Sequence, residues 1–281
     1  MRKKLPSSDG RDCAIQVRLP GRKGGALLSL FLLGGCLLLV SGCARPPGGG
    51  VDSGVTSGIV ARYRADQALR RSGALASGWQ AEGVLDLDTP KAVRRHRMTL
   101  WGEGVAWARL VLFGPFHDIA GELQLSQEWI RLSDPGKREV VEVPATAAGM
   151  QHLTGLALLP EALLELVQGR AEASAKPVAD ADGTAYADTT AGDHLQIDPA
   201  TGHLLERRGL APDGTPYVVQ YRWGDGVLDG IALPEEVRIR LGDDARFVIR
   251  VRAWSPHDGK ADRATGFGTI PRGFALRRPL G

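Results

Sequence analysis

The chain is poor in cysteine and in aromatics, and it has no surplus of charge once its first segment is set aside. Three cysteines, Cys13, Cys36 and Cys43, occur in 281 residues. A chain cut just before Cys43 keeps one of them. It can form no internal disulfide, and with that sulfur committed elsewhere it has no thiolate chemistry. Apolar burial must hold it together. The formal net charge is +3, but residues 1–42 carry seven Lys/Arg against two Asp/Glu, which leaves the remainder at −2. The basic balance therefore belongs to the leader, and no clustered basic patch points to nucleic acid. Signatures of catalysis are missing too. There is no HExxH, no GxSxG elbow and no phosphate loop. The six histidines show no helical metal spacing. Asp180, Asp182, Gly183 and Asp188 loosely suggest a calcium loop, but the glycine is misplaced and no Glu closes it, so a polar loop is expected. The sequence thus nominates no catalytic residue, no metal ligand and no cofactor, and the expectation is a protein that is not an enzyme.

What is present begins with the run Ala26 to Cys43, ALLSLFLLGGCLLLVSGC, behind a basic segment with Arg18, Arg22 and Lys23. A positive segment, an apolar run and small residues before a cut make a secretory signal peptide, here 1–42. Val40-Ser41-Gly42-Cys43 resembles the lipobox of bacterial lipoproteins, which implies that Cys43 is diacylated and becomes the new N-terminus. An uncleaved anchor is the alternative, since the run is near the lower limit for spanning a bilayer. A second box ends at Cys36, but cutting there leaves Leu37-Leu38-Leu39-Val40 exposed. Val17 is an alternative start. Residues 43–57, with Pro46-Pro47-Gly48-Gly49-Gly50, read as a flexible tether.

Beyond the tether, Ile59, Tyr63, Ala65 and Leu69 recur at helical spacing and predict one amphipathic helix, stopped at Gly73. From Trp79 the period changes to two. Runs at 84–88, 95–100, 105–113, 119–125, 129–132 and 140–143 are separated by turn residues. A second helix is expected over Leu159–Gly169, with Pro160 at its first position, Gly169 past its end, and Leu159, Leu163, Leu164 and Val167 on its apolar face. Arg170–Thr190 reads as a loop. Runs at 195–197, 217–223, 237–241 and 247–252 follow, the last two joined as a hairpin with arginines opposite their apolar side. Those arginines could meet anionic headgroups, although alternating exposed charge is ordinarily a solvated face. The expected class is α+β: a curved antiparallel half-barrel of about ten strands closed by two or three helices. The domain spans 58–254 and a polar tail 255–281.

Leu110-Val111-Leu112-Phe113-Gly114-Pro115-Phe116 resembles the leucine-rich strand and small-Pro-apolar turn of the LolB family of outer-membrane lipoprotein receptors. Leu123 and Ile130-Arg131-Leu132-Ser133-Asp134 resemble its next two strands. Leu153-Thr154-Gly155 with Leu159–Gly169 resembles its helical insertion. Leu233-Pro234, Val237 and Phe247–Trp254 resemble its closing hairpin. The likeness covers about 79–254. Leu166 stands where that family usually has Trp, and the loop 170–190 and the tail are departures. The resemblance implies a LolA/LolB-like half-barrel with an apolar cavity for acyl chains. Cavity lining is then expected from Leu85, Leu87, Leu100, Leu110, Leu112, Leu123, Leu163, Val167, Val219, Ile239 and Ile249. It also implies a protruding apolar residue that touches the membrane at the position of Phe116, with Phe113 beside it; the alternative is a ring folded back against the barrel end.

The expected function is an outer-membrane lipoprotein on the periplasmic face, anchored by acylated Cys43, that binds acyl chains or lipoproteins. Acceptance of lipoproteins from a periplasmic LolA-type carrier follows from the resemblance. Ala44 lacks the Asp that enterobacterial lipoproteins use for inner-membrane retention. The alternative is a structural or assembly-factor envelope lipoprotein with a filled barrel, acting through its surface. Cys43→Ser should abolish both acylation and cleavage while the domain still folds. Metabolic labelling with a palmitate analogue checks this, and label persisting in the variant would place the anchor elsewhere.

Overall fold

The computed structural model describes residues 53–89, 92–174, 178–179, 184–243, 245–257 and 270–279. The signal peptide, Cys43, Asp180, Asp182 and Gly183 lie outside the described residues. A long helix, α1 (Ser53–Ser72), and a single turn, α2 (Ala74–Ser77), lead into the strands. The first meander is β1 (Trp79–Thr89), β2 (Ala92–Glu103), β3 (Trp107–Phe113), β4 (Ile119–Leu125), β5 (Trp129–Asp134) and β6 (Glu139–Pro144). Helices α3 (Ala147–Thr154) and α4 (Pro160–Gln168) interrupt it. The second is β7 (Val178–Ala179), β8 (Ala185–Asp188), β9 (His194–Ile197), β10 (Leu204–Leu210), β11 (Pro216–Leu228), β12 (Ile231–Leu241) and β13 (Ala245–Pro256), with β14 (Ala275–Arg277) after it.

All fourteen strands form one open, curved sheet in the order β14-β6-β5-β4-β3-β2-β1-β13-β12-β11-β10-β9-β8-β7. Every pairing is antiparallel except that of β14 with β6. β1 and β13 join the two meanders. Their register shifts at Glu82/Gly83. A Cβ on Gly83 would lie 1.9 Å from the Arg250 carbonyl oxygen, so only glycine lets the two strands close at this bulge.

Period two puts Trp79, Ala81, Leu85, Leu100, Val219, Val237, Ile239 and Ile249 on the helix-covered face, where all are buried. Helices α1 and α4 pack on β12, α2 on β2, and α3 on β5 and β6. Helix α4 starts with Pro160 at its first turn and ends at Gly169 in the left-handed conformation (φ 65°). Those two residues bound it as their backbone preferences require.

Several expectations need correction. Among the described residues fourteen strands replace about ten, because β7, β8, β10 and β14 were not anticipated. The stretch 170–190 holds two of them rather than only a loop, and the tail returns to the sheet as β14. Four helices are present among the described residues rather than two or three. Helix α1 begins at Ser53, inside the segment assigned to the tether, and β13 runs past Trp254 to Pro256. Residues 105–106 form a turn before β3. The buried side of α1 is Ile59, Val60, Tyr63, Gln67 and Arg70, while Leu69 is 51% exposed. On α4, Leu159 is exposed, and Leu166 and Gln168 join Leu164 and Val167 in the interior.

The polar side chains on that face of α1 have a specific task. The chain leaving α4 presents carbonyls that no helix satisfies. Arg70 donates to Gln168 O at 2.8 Å and Gln67 to Gly169 O at 3.3 Å. The Tyr63 hydroxyl donates to Ala171 O at 2.7 Å. Arg70 also donates to Ala232 O of β12, pairs with Asp66 at 2.7 Å, and lies 4.6 Å from the centre of the Trp223 ring. Its side chain is fully buried. Arg70→Ala would strand Asp66 and two buried carbonyls, and should cost about 3 kcal/mol. Urea unfolding of the variant measures it; a loss below about 1 kcal/mol would mean that α1 is not held by this cluster.

Candidate functional site

The helix-covered face is not uniformly closed. Register places Ala81, Leu100, Leu110, Leu123, Leu132 and Val141 in one row across β1 to β6. Met98, Leu112 and Gly121 make the next. Leu110, Leu112, Leu123, Leu132 and Val141 are only partly buried. The strands that carry them leave the cover of α1 and α4, which pack on the second meander. Leu110, Leu112, Leu123 and Val141 pack against the edge of the core, and α3 reaches β5 and β6.

Of the eleven residues expected to line a cavity, six (Leu85, Leu100, Val167, Val219, Ile239 and Ile249) sit in the closed core. Leu87, Leu110, Leu112, Leu123 and Leu163 are partly buried against it. Leu110 stands directly opposite Leu123, and next to Leu100 on its other side. The inward set of β3, ambiguous from alternation, is therefore Ala108, Leu110 and Leu112. Phe113 and Val111 face the other way.

Phe116 lies in the turn between β3 and β4 and is 88% exposed. The turn is closed by Gly114 N–H donating to Asp118 O at 2.8 Å, and by His117 in a left-handed conformation (φ 65°). A Cβ on Gly114 would meet the Asp118 carboxylate at 2.5 Å, so a larger residue there would push that exposed side chain aside. This fixed loop leaves the Phe116 ring outside. Ile119 (46%) and Phe113, which is partly buried, flank it.

The opposite face carries charge. Asp86 takes hydrogen bonds from Arg95 and Arg250, and Glu236 from Arg238 and Arg250. Glu206 takes them from Arg208 and Gln220. Burial alone would raise the Glu236 carboxyl, but the bonds from Arg238 and Arg250 outweigh it and hold it below the usual range. Asp86 and Glu206 are lowered in the same way, by their bonds to Arg250 and Arg95 and to Gln220 and Arg208. The hydrophobic pattern could suggest exposed arginines here, but not which carboxylate each would meet.

The histidines gather into no site. Asp193 turns inward to Arg207 at 2.5 Å, while its neighbour His194 turns outward to Asp188 at 3.0 Å. His117 contacts Arg97. His203 stacks on Trp223 at 4.5 Å, and burial lowers its pKa. Among the described residues, no three His, Cys, Asp or Glu are placed to hold a metal ion. The buried Arg207–Asp193 pair was not anticipated. It sits on the helix-covered face between Val219 and Leu195, where a strand pattern leads one to expect an apolar residue.

No family model and no curated protein matches the chain. Solved structures do. A DUF1329 family protein from Desulfovibrio piger is 11% identical with a TM-score of 0.51, over 77% of this chain and 98% of that one. A LolA superfamily protein from Nitrosomonas europaea is 11% identical with a TM-score of 0.49, over 71% and 94%. A domain described as outer-membrane lipoprotein-sorting, from Vibrio parahaemolyticus, is 9% identical with a TM-score of 0.46, over 71% and 92%. The chain is similar in fold to the DUF1329 family protein. At these identities the likeness is one of fold alone.

The lowered carboxyls generate a pH expectation. A carboxyl whose folded pKa lies below its unfolded value stabilises the fold above the unfolded value, and that contribution is lost as pH falls through the folded one. Stability should therefore drop on acidification below about pH 4.5. Glu236→Gln should remove about 1–2 kcal/mol at neutral pH and flatten that acid limb. Thermal melts across pH test it; an unchanged acid limb would mean the ladder does not contribute.

Proposed function

We propose that the chain is an envelope lipoprotein that binds acyl chains against the helix-covered face of its sheet. On this reading it passes lipid or lipoproteins to a membrane without a covalent step. The observation that carries the proposal is the partly buried apolar surface of Leu110, Leu112, Leu123, Leu132 and Val141 on the helix-covered face. Aliphatic side chains that stay partly wet in a folded protein leave apolar area for a ligand to cover, at roughly 25 cal/mol per Å². Two further features support it. Cys43 follows a lipobox-like sequence, which would hold the domain at a membrane. Phe116 is a fully presented ring on the loop that ends β3, the strand bearing Leu110 and Leu112. An exposed aromatic at such a tip is suited to dipping into the acyl boundary of a bilayer. The outer membrane as destination, and a LolA-type carrier as donor, complete the proposal.

Native mass spectrometry of the full chain, expressed in bacteria and released from neutral detergent, should show co-purifying lipid or a bound lipopeptide. A clean apo mass with no uptake of a fluorescent fatty acid would sink acyl binding and favour the surface-acting assembly factor. Phe116→Glu should leave both the fold and lipid binding intact, but abolish transfer of bound lipid to liposomes. If that variant melts the domain, or transfers as well as the parent, the ring has no role in delivery.

A further inference from the structure

The charged face has an excess of arginine in the row nearest the turns. Counting away from the helices' side, the register across β11, β12, β13, β1 and β2 reads Arg222, Glu236, Arg250, Val84 and Arg97 in one row. The next, beginning on β10, reads Glu206, Gln220, Arg238, Val248, Asp86 and Arg95. Between them these rows hold the interlocked pairs of Asp86, Glu206 and Glu236. The row nearest the turns reads Arg208, Val218, Arg240, Arg246, Asp88 and Val93. Arg208 reaches back to Glu206. Arg240 and Arg246 stand directly opposite each other, both exposed, with Asp88 on the far side of Arg246 and Glu206 within the field of Arg240. Like charges directly opposed across strands destabilise a sheet. Here they line a depression of about 340 Å³ together with Arg208, Arg238, Val218, Gln220, Ile239 and one carboxylate, Glu206, which Arg208 and Gln220 already hold.

The apolar surroundings of this row distinguish it from a merely solvated stripe. Leu210 lies two residues beyond Arg208 on the same face and is 69% exposed. Val93, at the far end of the row, is 80% exposed. Because neighbouring strands are antiparallel, the β10–β11, β12–β13 and β3–β4 turns lie at one end of the sheet, so Leu210, Val93 and Phe116 share that end. Exposed large apolar residues beside a row of three arginines suit a surface that is apolar below and anionic above.

We propose that this arginine-walled depression, with Arg240 and Arg246 opposed across it, binds the phosphate of anionic lipid headgroups, and so seats the turn-bearing end of the sheet on a membrane. Guanidinium groups fit phosphate oxygens through paired, charge-assisted hydrogen bonds. The proposal does not require the opposite face to hold acyl chains, and its test leaves that question separate.

Isothermal titration calorimetry on the full chain in neutral detergent compares short-chain phosphatidylglycerol, short-chain phosphatidylcholine and inorganic phosphate. Phosphatidylglycerol should bind, and its affinity should fall as salt rises. Phosphatidylcholine and inorganic phosphate should each bind at least about tenfold more weakly, the first lacking net charge and the second lacking contact with the apolar rim. Arg240→Gln combined with Arg246→Gln should lose at least about tenfold for phosphatidylglycerol. Its melting temperature should not fall, since a repulsion is removed. Equal affinity for the two lipids, or a double variant that binds like the parent, would overturn the site. Inorganic phosphate binding as tightly as phosphatidylglycerol would make it a free-anion site and overturn the membrane role. If the double variant fails to fold, salt-independent binding of phosphatidylglycerol by the parent chain overturns it alone.

Discussion

The pairing of β1 with β13 is the constraint on which the rest of the sheet depends. Each meander is built from short-range hairpins, but nothing within either meander tells it where the other lies. β1 is the first strand in sequence and β13 the last long one, and their register runs from Trp79↔Pro256 to Asp88↔Arg246. This pairing closes the largest loop in the chain and so carries the largest ordering cost. It is offset on both faces at once. Leu85 meets Ile249 and Leu87 meets Phe247 on the apolar side, while Asp86 holds Arg250 on the other. A slip by one residue would exchange those sets, burying charge and exposing the core, so the register is specified twice. The bulge at Gly83 then adjusts the strands where their lengths disagree.

The two faces solve different problems with the same periodicity. The helix-covered face needs helices because a fourteen-stranded sheet has more apolar surface than it can bury on itself. Among the described residues four helices, of which only α1 exceeds nine residues, leave part of it uncovered. The second meander receives α1 and α4 and is closed, whereas the first keeps an apolar area partly wet. On the opposite face, arginines lie beside the carboxylates of neighbouring strands, which holds several carboxyls ionised. That ladder runs out one row before the turns, and the leftover charge collects beside exposed apolar side chains.

Much of this was legible in the sequence, and the failures share a cause. Runs such as 237–241 and 247–252 alternate strictly because one side is core and the other water. Helix α4 was bounded by Pro160 and Gly169, whose backbone preferences act locally. β10 escaped because Glu206 and Arg207 are both buried, on opposite faces, so no alternation survives. β8 escaped because Ala185 and Ala187 are the buried residues and alanine signals neither period. β7 and β14 are edge strands of two and three residues, too short for any pattern. The hydrophilic face of α1 was misjudged for a different reason: Arg70 and Gln67 are buried to satisfy carbonyls contributed by α4, a partner about one hundred residues away in sequence. Phe116, by contrast, was conspicuous from sequence alone, since an apolar ring at a turn tip has no structural reason to be outside.

Placement gives the proposed function its path. Leu110 and Leu112 on β3 share a face with Leu123 on β4, and the loop joining these two strands is the one that presents Phe116. A ligand lying along that apolar surface would therefore point toward the same end of the sheet that carries Leu210, Val93 and the opposed arginines. Binding on one face and docking on the other would then meet at a single edge. The sheet twist that turns strand ends past one another allows both faces to reach that edge. On the proposed reading, delivery would run along this route. It needs only that apolar area covered by the protein be exchanged for apolar area covered by the bilayer, a nearly neutral transfer whose direction is set by which compartment holds the lipid more tightly.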